Sequence, residues 1–383
     1  MAYSRAARRP LGVFLYSASR RFSCGNEYSS KFESLSQYRS PVGGFGNLLR
    51  SFSSEAPAGV DQMSLIKQLR QRTSAPIKDV KASLVECNWD IEAAQKDLRK
   101  RGKVLASKKS SRTAAEGMLA VAQNEGRVAV IELNCETDFV ARNDIFQYLA
   151  LAMAKRALLV DNSSQQVPGV FPFGPELFEE LKLNLDHPKV NGETTVSNAA
   201  TEVAAIMGEN VKFRRGFLMS KSSTGVLSAY LHTSPQPGLG RIAGIVSLEV
   251  EGGNTQLEAL QRVGSEMAMH VVAAKPLFLS KDLVSSEALA NEREILKSQA
   301  ESTAKSQMAV EKMVEGRLRK YFEEVALMEQ KFIVNDSINI KTLVDNLSKE
   351  VGSPVKVADF LRVEVGEGIE RLEASDEPVA QTA

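Results

Sequence analysis

The sequence of 383 residues predicts an α+β fold, and three patterns indicate it. A pattern of two strands followed by a helix occurs twice, once from Gly117 and once from Gly225. Amphipathic segments within 63–102 predict three helices that pack together, and residues 284–330 consist almost entirely of strong helix formers. Repeated hairpin-plus-helix units predict small antiparallel sheets that are covered by helices.

Composition limits the classes of function. Hydrophobic residues make up 43% and charged residues 25% of the chain, values typical of a globular protein with two or three modest domains. No apolar run approaches the roughly 18 residues that a membrane-spanning helix needs, so we expect no membrane contact. The three cysteines form neither a CxxC pair nor a cluster with histidine, which predicts no disulfide framework and no zinc site.

Residues 1–54 have the composition of an organelle transit peptide. They contain twelve Ser, no Asp, and seven Arg and one Lys against two Glu. The segment Arg50-Ser51-Phe52-Ser53-Ser54 resembles a mitochondrial processing site with cleavage after Phe52. We expect import into the mitochondrial matrix, with the plastid as the alternative because both signals are basic and rich in serine. The whole chain carries only +1, so the mature part is mildly acidic, which argues against nonspecific nucleic-acid binding.

Residues 63–102 predict a small three-helix module. Ser64 and Asp90 are placed to cap the first and third helices, Pro76 fits the first turn of the second, and Gly102 is expected to end the third. The pattern resembles a UBA-like bundle, which often serves as a docking module. Residues 103–114 are then expected to form a basic linker. Nucleic-acid binding is the alternative for this segment, but no aromatic residue is interleaved to stack on bases.

A two-subdomain core follows, in which each subdomain is an antiparallel hairpin covered by a helix. We assign residues 115–198 to the first subdomain, with an insertion at Asp161–Asn198 that is rich in Pro, Ser and Asn. We assign residues 199–281 to the second subdomain. Helix Ala199–Met207 and strand Phe213–Met219 are expected to complete this second unit.

The rest of the chain predicts a helical arm and a short C-terminal module. Residues 282–331 predict a coiled-coil helical hairpin with a break near Ser302–Gln307. A protruding arm and one more helix pair in the core both fit this pattern. Residues 332–371 are expected to return the chain and form the C-terminal module, which contains strand Leu361–Val365. Residues 372–383 are expected to form a disordered tail.

The motifs of several enzyme classes are absent from the sequence. It has no GxxxxGKS phosphate loop and no HExxH zinc motif. His187, His232 and His270 have no nucleophile or carboxylate at a recognisable catalytic spacing. We expect His270 to lie in the core and His232 to be exposed at a hairpin end. The sequence therefore predicts a binding protein without catalytic residues, a metal site or a cofactor.

One loop, Asn134–Arg142, combines an acidic residue and a large aromatic residue where a strand gives way to a helix. Phe139 either packs inward as a hydrophobic staple, with Asp138 or Thr137 as the helix cap, or is exposed for binding. The equivalent loop of the second repeat is Gly252-Gly253-Asn254, so the fold of the repeat does not demand an aromatic residue. This comparison favours binding.

Four segments in collinear order resemble signature motifs of the elongation factor Ts family. They are Leu69–Thr73 with Ile77–Leu84, Glu132–Arg142, Glu311–Arg317 and Glu364–Glu370. The resemblance extends from about Met63 to Glu370. Four motifs in the right order make the resemblance highly specific.

The resemblance implies a guanine-nucleotide exchange factor for elongation factor Tu, the GDP-bound or nucleotide-free GTPase of organellar translation. Such a factor displaces Mg²⁺, disturbs the phosphate site and stays bound until GTP binds, without direct nucleic-acid contact. The residues that it would place beside the magnesium and phosphate site of the partner are Thr137, Asp138, Phe139 and Val140. The further partner contacts that it implies are Arg70, Ile77, Tyr230, His232, Val365 and Gly366.

A ubiquitin-binding adaptor is the alternative from another class, because the N-terminal module resembles UBA bundles. The segment Thr73–Pro76 lacks the Met-Gly-Phe-type loop that is usual in ubiquitin binders, and a transit peptide would remove the protein from the compartment of ubiquitin. An enzyme with scattered catalytic groups is a second alternative. A screen for bound cofactor would test it.

Overall fold

The computed structural model describes residues 61–73, 75–161, 169–252, 257–301 and 306–369. The predicted transit peptide, most of the predicted break near Ser302–Gln307 and the predicted C-terminal tail lie outside these residues. Within the described ranges, no helix combines the length and the apolar character that crossing a bilayer requires.

The described residues form helices and antiparallel sheets that are joined by loops, which confirms the α+β class. The α-helices are α1 (Gln62–Thr73), α2 (Ile77–Glu86), α3 (Ile91–Lys109), α4 (Asp138–Ala141), α5 (Asp144–Ala157), α6 (Pro175–Phe178), α7 (Val196–Met207), α8 (Leu257–Ala274), α9 (Ser286–Glu301), α10 (Gln307–Val325) and α11 (Ile340–Val351). The strands are β1 (Glu116–Gln123), β2 (Arg127–Cys135), β3 (Gly169–Phe173), β4 (Lys182–His187), β5 (Val190–Thr195), β6 (Val211–Ser220), β7 (Gly225–His232), β8 (Leu239–Gly240), β9 (Ile242–Val250), β10 (Lys331–Phe332), β11 (Asn335–Asn339) and β12 (Val355–Glu364).

Helices α1 to α3 form a small bundle around one apolar cluster. Its buried members are Ile66, Leu69, Val80, Leu84, Ala94 and Leu98. Asp90 caps α3 as predicted, because its Oδ1 accepts hydrogen bonds from the backbone N–H groups of Glu92 and Ala93 at 2.8 and 3.2 Å. The predicted cap at Ser64 is wrong: α1 already begins at Gln62, and Asp61 Oδ1 accepts from the backbone N–H of Met63.

Helix α3 does not end at Gly102, so the predicted end of this helix is wrong. The helix continues to Lys109 and lies against α7. A Cβ atom at position 102 would lie 2.9 Å from the Cβ of Ala205, so glycine at this position permits close approach of the two helices. Most of the segment that we expected to be a basic linker is therefore a helix docked on the core, with Ala106 buried.

The first core sheet has the strand order β3-β6-β2-β1-β8. Strand β6 pairs antiparallel with β2 along its length, from Ser220 opposite Arg127 to Val211 opposite Cys135. Helix α7 and strand β6 therefore belong to the first unit, and our expectation that they complete the second unit is wrong. Their apolar pattern fits either sheet, and only the pairing between distant segments decides the choice.

Residues 169–198 are an integral part of the first unit rather than a surface insertion. Strand β3 pairs with β6 at the edge of the sheet, and β4 and β5 form a hairpin. The ring of Phe178 lies 5.3 Å from that of Phe173 and 4.7 Å from that of Phe213, measured between centroids, and all three side chains are buried. The proline-rich and polar composition of this segment hid the aromatic residues that tie it to the core.

The second sheet, ordered β12-β9-β7, contains the C-terminal strand, which is longer than the predicted Leu361–Val365. The two sheets contact each other through a shared apolar cluster that includes Val130, Met219 and Ile245. Helices α9 and α10 pack on each other through a separate buried cluster that includes Leu296, Val310 and Val314. This separate cluster indicates a helical hairpin with its own small core.

The contact between α3 and α7 contains a buried carboxylate. The side chain of Glu202 is only 7% exposed and lies 2.5 Å from Arg99 and 3.0 Å from Lys103. We expect Arg99→Met combined with Lys103→Met to lower the free energy of unfolding by ~3–5 kcal/mol, because it leaves an unpaired charge in the interface. Glu202→Gln leaves Arg99 and Lys103 without their carboxylate, but their side chains are 55% and 36% exposed and can be hydrated by solvent. Glu202→Gln should therefore lower the free energy of unfolding by less. Urea unfolding of both variants measures the difference, and equal costs would contradict this account.

His270 joins helix α8 to the segment that follows α10. Its ring is fully buried, as we expected from the sequence. The amide of Gln330 donates to the carbonyls of Ala274 and Glu324, so its Oε1 accepts from His270 Nε2 at 3.0 Å. His270 Nδ1 in turn accepts from the backbone N–H of Ile333 at 3.4 Å. The neutral ring fits these partners, and protonation of Nδ1 would remove an acceptor.

The unfolding free energy should fall as His270 becomes protonated. Burial lowers the pKa of His270 in the folded protein, and the bond to Gln330 only partly offsets this effect. Since the unfolded state then binds the proton more readily, stability should fall as pH drops below about 6.5 and level off below the folded pKa. Urea unfolding between pH 7.5 and 5 should show a smaller loss for His270→Gln than for the unaltered chain. Parallel profiles would contradict this expectation.

Candidate partner-binding site

The Phe139 loop, which we define as residues 134–142, is a rigid turn with one exposed aromatic side chain. Thr137 caps the single-turn helix α4, since its Oγ1 accepts from the backbone N–H of Val140 at 3.4 Å. Val140 and Ala141 are buried, whereas Phe139 is 78% exposed. The alternative that Phe139 packs inward as a staple is therefore wrong, and the ring is free to meet a partner.

Glu209, in the loop between α7 and β6, holds this turn in place. Its carboxylate accepts from the backbone N–H of Thr137 at 3.0 Å and from Thr137 Oγ1 at 2.7 Å. The hydroxyl of Thr137 thus donates to Glu209 and accepts from Val140, which fixes the start of α4. Sequence reasoning missed Glu209, because nothing in the local pattern connects it to a loop 72 residues earlier.

Asn210 and Glu136 form a second connection beside the same loop. The backbone N–H of Asn210 donates to Glu136 Oε1 at 2.6 Å. Asn210 Nδ2 donates to the carbonyls of Ser110 and Arg112 at 3.1 and 2.7 Å, just beyond the end of α3. These contacts link the end of α3, the loop after α7 and the Phe139 loop.

The thiol of Cys135 does not supply nucleophilic chemistry at this loop. Burial is the main cause that raises its pKa to about 12, and the carboxylates of Glu209 and Glu116 add to the effect. Its Sγ lies 3.1 Å from the carbonyl oxygen of Thr137 and donates to it. The thiol is therefore protonated at neutral pH, and its role here is structural.

Asp138 is partly exposed next to Phe139 and pairs with Arg142 one turn later, at 2.7 Å. The two side chains are 41% and 73% exposed, so the pair contributes at most about 1 kcal/mol. An ion pair of this strength can be exchanged for contacts with a partner at little cost. Phe139 and Asp138 thus form one small surface with an apolar and an acidic part.

The other sequence-predicted contact residues lie on separate elements. Arg70, at the end of α1, and Ile77, at the start of α2, are exposed. Tyr230 and His232 lie near the end of β7, with the Tyr230 hydroxyl 3.4 Å from His232 Nδ1. His232 is exposed as expected, whereas Tyr230 is partly buried against the apolar cluster between the second sheet and helix α8, which includes Val246 and Leu260.

Val365 differs from the other residues of this set. Its side chain is buried in the cluster between the two sheets, so it does not belong to an exposed contact surface. Gly366, next to it, has φ +75°, and a Cβ atom there would overlap the carbonyl oxygen of Ala115. Gly366 itself offers only its backbone to a partner, whereas the side chain of Glu367 beside it is 49% exposed.

Glu132 anchors the C-terminal segment to the strand that leads into the Phe139 loop. Its carboxylate, which is fully buried, lies 2.9 Å from Arg214 and 2.6 Å from Arg215. It also accepts from the backbone N–H of Gly366 at 2.8 Å. The segment around Gly366 and the Phe139 loop are thus held by one strand, β2.

The candidate site is a projecting surface rather than a cavity. A cavity of about 540 Å³ among the described residues is lined mainly by 275–279 and 358–362, and none of its lining residues belongs to the Phe139 loop. The described part of the chain contains no group of three or more His, Cys, Asp or Glu that could hold a metal ion. Fold and site together define a protein that presents an exposed aromatic residue on a hydrogen-bonded turn at the surface of an α+β core.

Comparison with known proteins places this architecture in a family. The family model described as "Elongation factor TS" matches residues 136–367, and the chain belongs to the elongation factor Ts family. The resemblance of the sequence motifs is thereby confirmed.

The similarity to individual relatives extends along the whole chain. The chain is 88% identical to "Elongation factor Ts, mitochondrial" of Arabidopsis thaliana, with 100% of both chains covered. It is 70% identical to the protein of the same name from Ricinus communis, again with 100% of both covered. It is 41% identical to "Elongation factor Ts" of Paramagnetospirillum magneticum, over 82% of this chain and 93% of the relative.

Proposed function

We propose that this chain is a guanine-nucleotide exchange factor for elongation factor Tu in translation within the mitochondrion. The observation that carries the proposal is the 78% exposed Phe139 on a turn whose cap and backbone are fixed by Thr137 and Glu209. A large exposed aromatic side chain on a rigid support is suited to enter a partner without first rearranging. Family membership supplies the class of partner.

In the proposed mechanism, Phe139 and Asp138 enter beside the magnesium and phosphate site of the GTPase. They stabilise a conformation of the partner that has low affinity for Mg²⁺ and GDP, and they need not touch the nucleotide itself. Burying the ring contributes ~1.5–3 kcal/mol, and each ~1.4 kcal/mol corresponds to tenfold in affinity. Phe139 alone therefore cannot account for release, and other contacts must supply the remaining free energy.

Three further surfaces would supply these contacts. Arg70 and Ile77 would dock on the nucleotide-binding domain, as would the backbone around Gly366. Tyr230 and His232 would contact a different domain of the partner. Since coupling between two ligands is reciprocal, GDP must weaken the complex by the factor by which this protein weakens GDP. In the proposed cycle the complex persists until GTP binds to the partner.

The proposed location rests on the sequence of the first 54 residues and on the names of relatives. Proteins from Arabidopsis thaliana and Ricinus communis that match the full chain are named mitochondrial. We propose import into the matrix and removal of the segment that ends at Phe52. The plastid is the alternative destination, and mass spectrometry of the protein from purified organelles would identify both the compartment and the first residue.

The proposal is tested by release of a fluorescent GDP analogue from elongation factor Tu in a stopped-flow instrument. The full chain should accelerate release, with a rate that saturates as its concentration rises. An elongation factor Tu preparation without this chain gives the spontaneous rate. A release rate that does not depend on the chain would overturn the proposed function.

A further inference from the structure

A continuous set of hydrogen bonds connects the N-terminal helical module to the Phe139 loop. Asn210, which is only 4% exposed, donates from its side chain to the carbonyls of Ser110 and Arg112, where α3 has just ended. Its backbone N–H donates to Glu136 Oε1 at 2.6 Å. One residue therefore holds the end of α3 with its side chain and the Phe139 loop with its backbone.

Neighbouring contacts strengthen this connection. Arg112 also approaches Glu136 directly, with 3.4 Å between Nη1 and Oε2. Glu209, the residue before Asn210, accepts both hydrogen bonds from Thr137. Lys109, the last residue of α3, donates to the carbonyl of Gly208. The loop from Gly208 to Asn210 thus contacts the module helix on one side and the Phe139 loop on the other.

Helix α3 makes this connection stiff. It is a single helix from the core of the module to Lys109, and it is fixed to α7 by the close approach at Gly102 and by the buried Glu202. A displacement of the module would therefore be transmitted to the loop between α7 and β6, because α3 connects the two without a flexible linker. Contacts of this kind carry coupling between sites when they form one contiguous network.

We propose that Asn210 is a positioning residue, which couples docking of the N-terminal module on the partner to placement of Phe139. This inference rests on the proposed exchange function. Without the coupling, the module adds affinity alone. With the coupling, a docked module also holds Phe139 where it is most effective, so module contacts raise the maximal rate of GDP release.

The test is a double-mutant cycle on the full chain, read as the maximal rate and the half-saturating concentration of GDP release. Ile77→Ala removes an exposed contact of the module, and Asn210→Ala removes the bonds to Ser110 and Arg112 while the backbone bond to Glu136 remains. We expect Ile77→Ala to lower the maximal rate about threefold in the unaltered chain and by less than about 1.5-fold in Asn210→Ala. Its effect on the half-saturating concentration should be the same in both backgrounds.

Two further variants separate coupling from a general loss of stability. Gln330→Ala removes a buried amide in the segment that follows α10, distant in sequence from the Phe139 loop, which makes three hydrogen bonds, and it should keep the full effect of Ile77→Ala on the maximal rate. Glu136→Ala cuts the same connection on the loop side and should reduce the effect of Ile77→Ala as Asn210→Ala does. If Asn210→Ala fails to fold, Glu136→Ala still tests whether the effect of Ile77→Ala on the maximal rate depends on this connection.

An equal effect of Ile77→Ala in all backgrounds, or no effect on the maximal rate in any, would overturn the role of Asn210. The proposed exchange function fails separately, if the full chain does not accelerate GDP release at all. The two failures are therefore distinguishable within one set of measurements.

Discussion

Replacing Phe139 by alanine should slow release of GDP from the partner about tenfold or more and leave the melting temperature of the free protein nearly unchanged. The ring is 78% exposed before binding, so its removal costs few contacts within the chain. In the complex it would be buried, and losing ~1.4 kcal/mol of contact that favours the nucleotide-free partner corresponds to a factor of ten. Stopped-flow GDP release and thermal melting are measured on the same preparation.

Leu159→Ala is the matched control for this substitution. Leu159 is also apolar and exposed, at 69%, but it lies after α5 and outside the proposed contact surface. It should change neither the release rate nor the melting temperature. The account would be contradicted by a Phe139→Ala protein that melts several degrees lower and whose folded fraction still releases GDP at the normal rate.

Glu132→Leu should lower the free energy of unfolding by ~3–5 kcal/mol. The substitution leaves the guanidinium groups of Arg214 and Arg215 without their buried carboxylate and removes the acceptor of the Gly366 N–H. Urea unfolding gives the free energy. Hydrogen exchange at the Gly366 amide should also become faster, because the C-terminal segment loses its anchor.

Glu193→Leu is the control for a salt bridge at the surface. Its pair with Lys182 has side chains that are 63% and 73% exposed, so its loss should cost less than about 1 kcal/mol. A Glu132→Leu protein as stable as Glu193→Leu, with unchanged exchange at Gly366, would show that Glu132 does not anchor the segment.

Much of the fold could be predicted because local patterns determine it. Both hairpins, the three helices of the module and the buried position of His270 follow from periodicity and from capping residues. Gly102 is a position where the local pattern gives the wrong structure. After an apolar helical segment, glycine indicates a helix end, but here it permits contact with Ala205, 103 residues later in the chain, and only the fold reveals that contact.

The candidate site could likewise be predicted from the sequence only in part. Comparing the two repeats indicated that Phe139 serves no purpose in the fold of the repeat, and its exposure agrees with this. The residues that hold the loop, Glu209 and Asn210, could not be predicted. They lie on a connection between elements that we had assigned to the other subdomain, and strand pairing of β6 with β2 brings them to the loop.

Reciprocal linkage tests the central claim most directly. The affinity of the full chain for elongation factor Tu is measured by calorimetry, once with the nucleotide-free GTPase and once with saturating GDP and Mg²⁺. The account predicts that GDP and Mg²⁺ weaken the complex by the same factor by which the chain weakens GDP binding. Equal affinity for the two forms of the GTPase would contradict the account, because a protein that binds both forms equally tightly cannot lower the affinity of the GTPase for GDP.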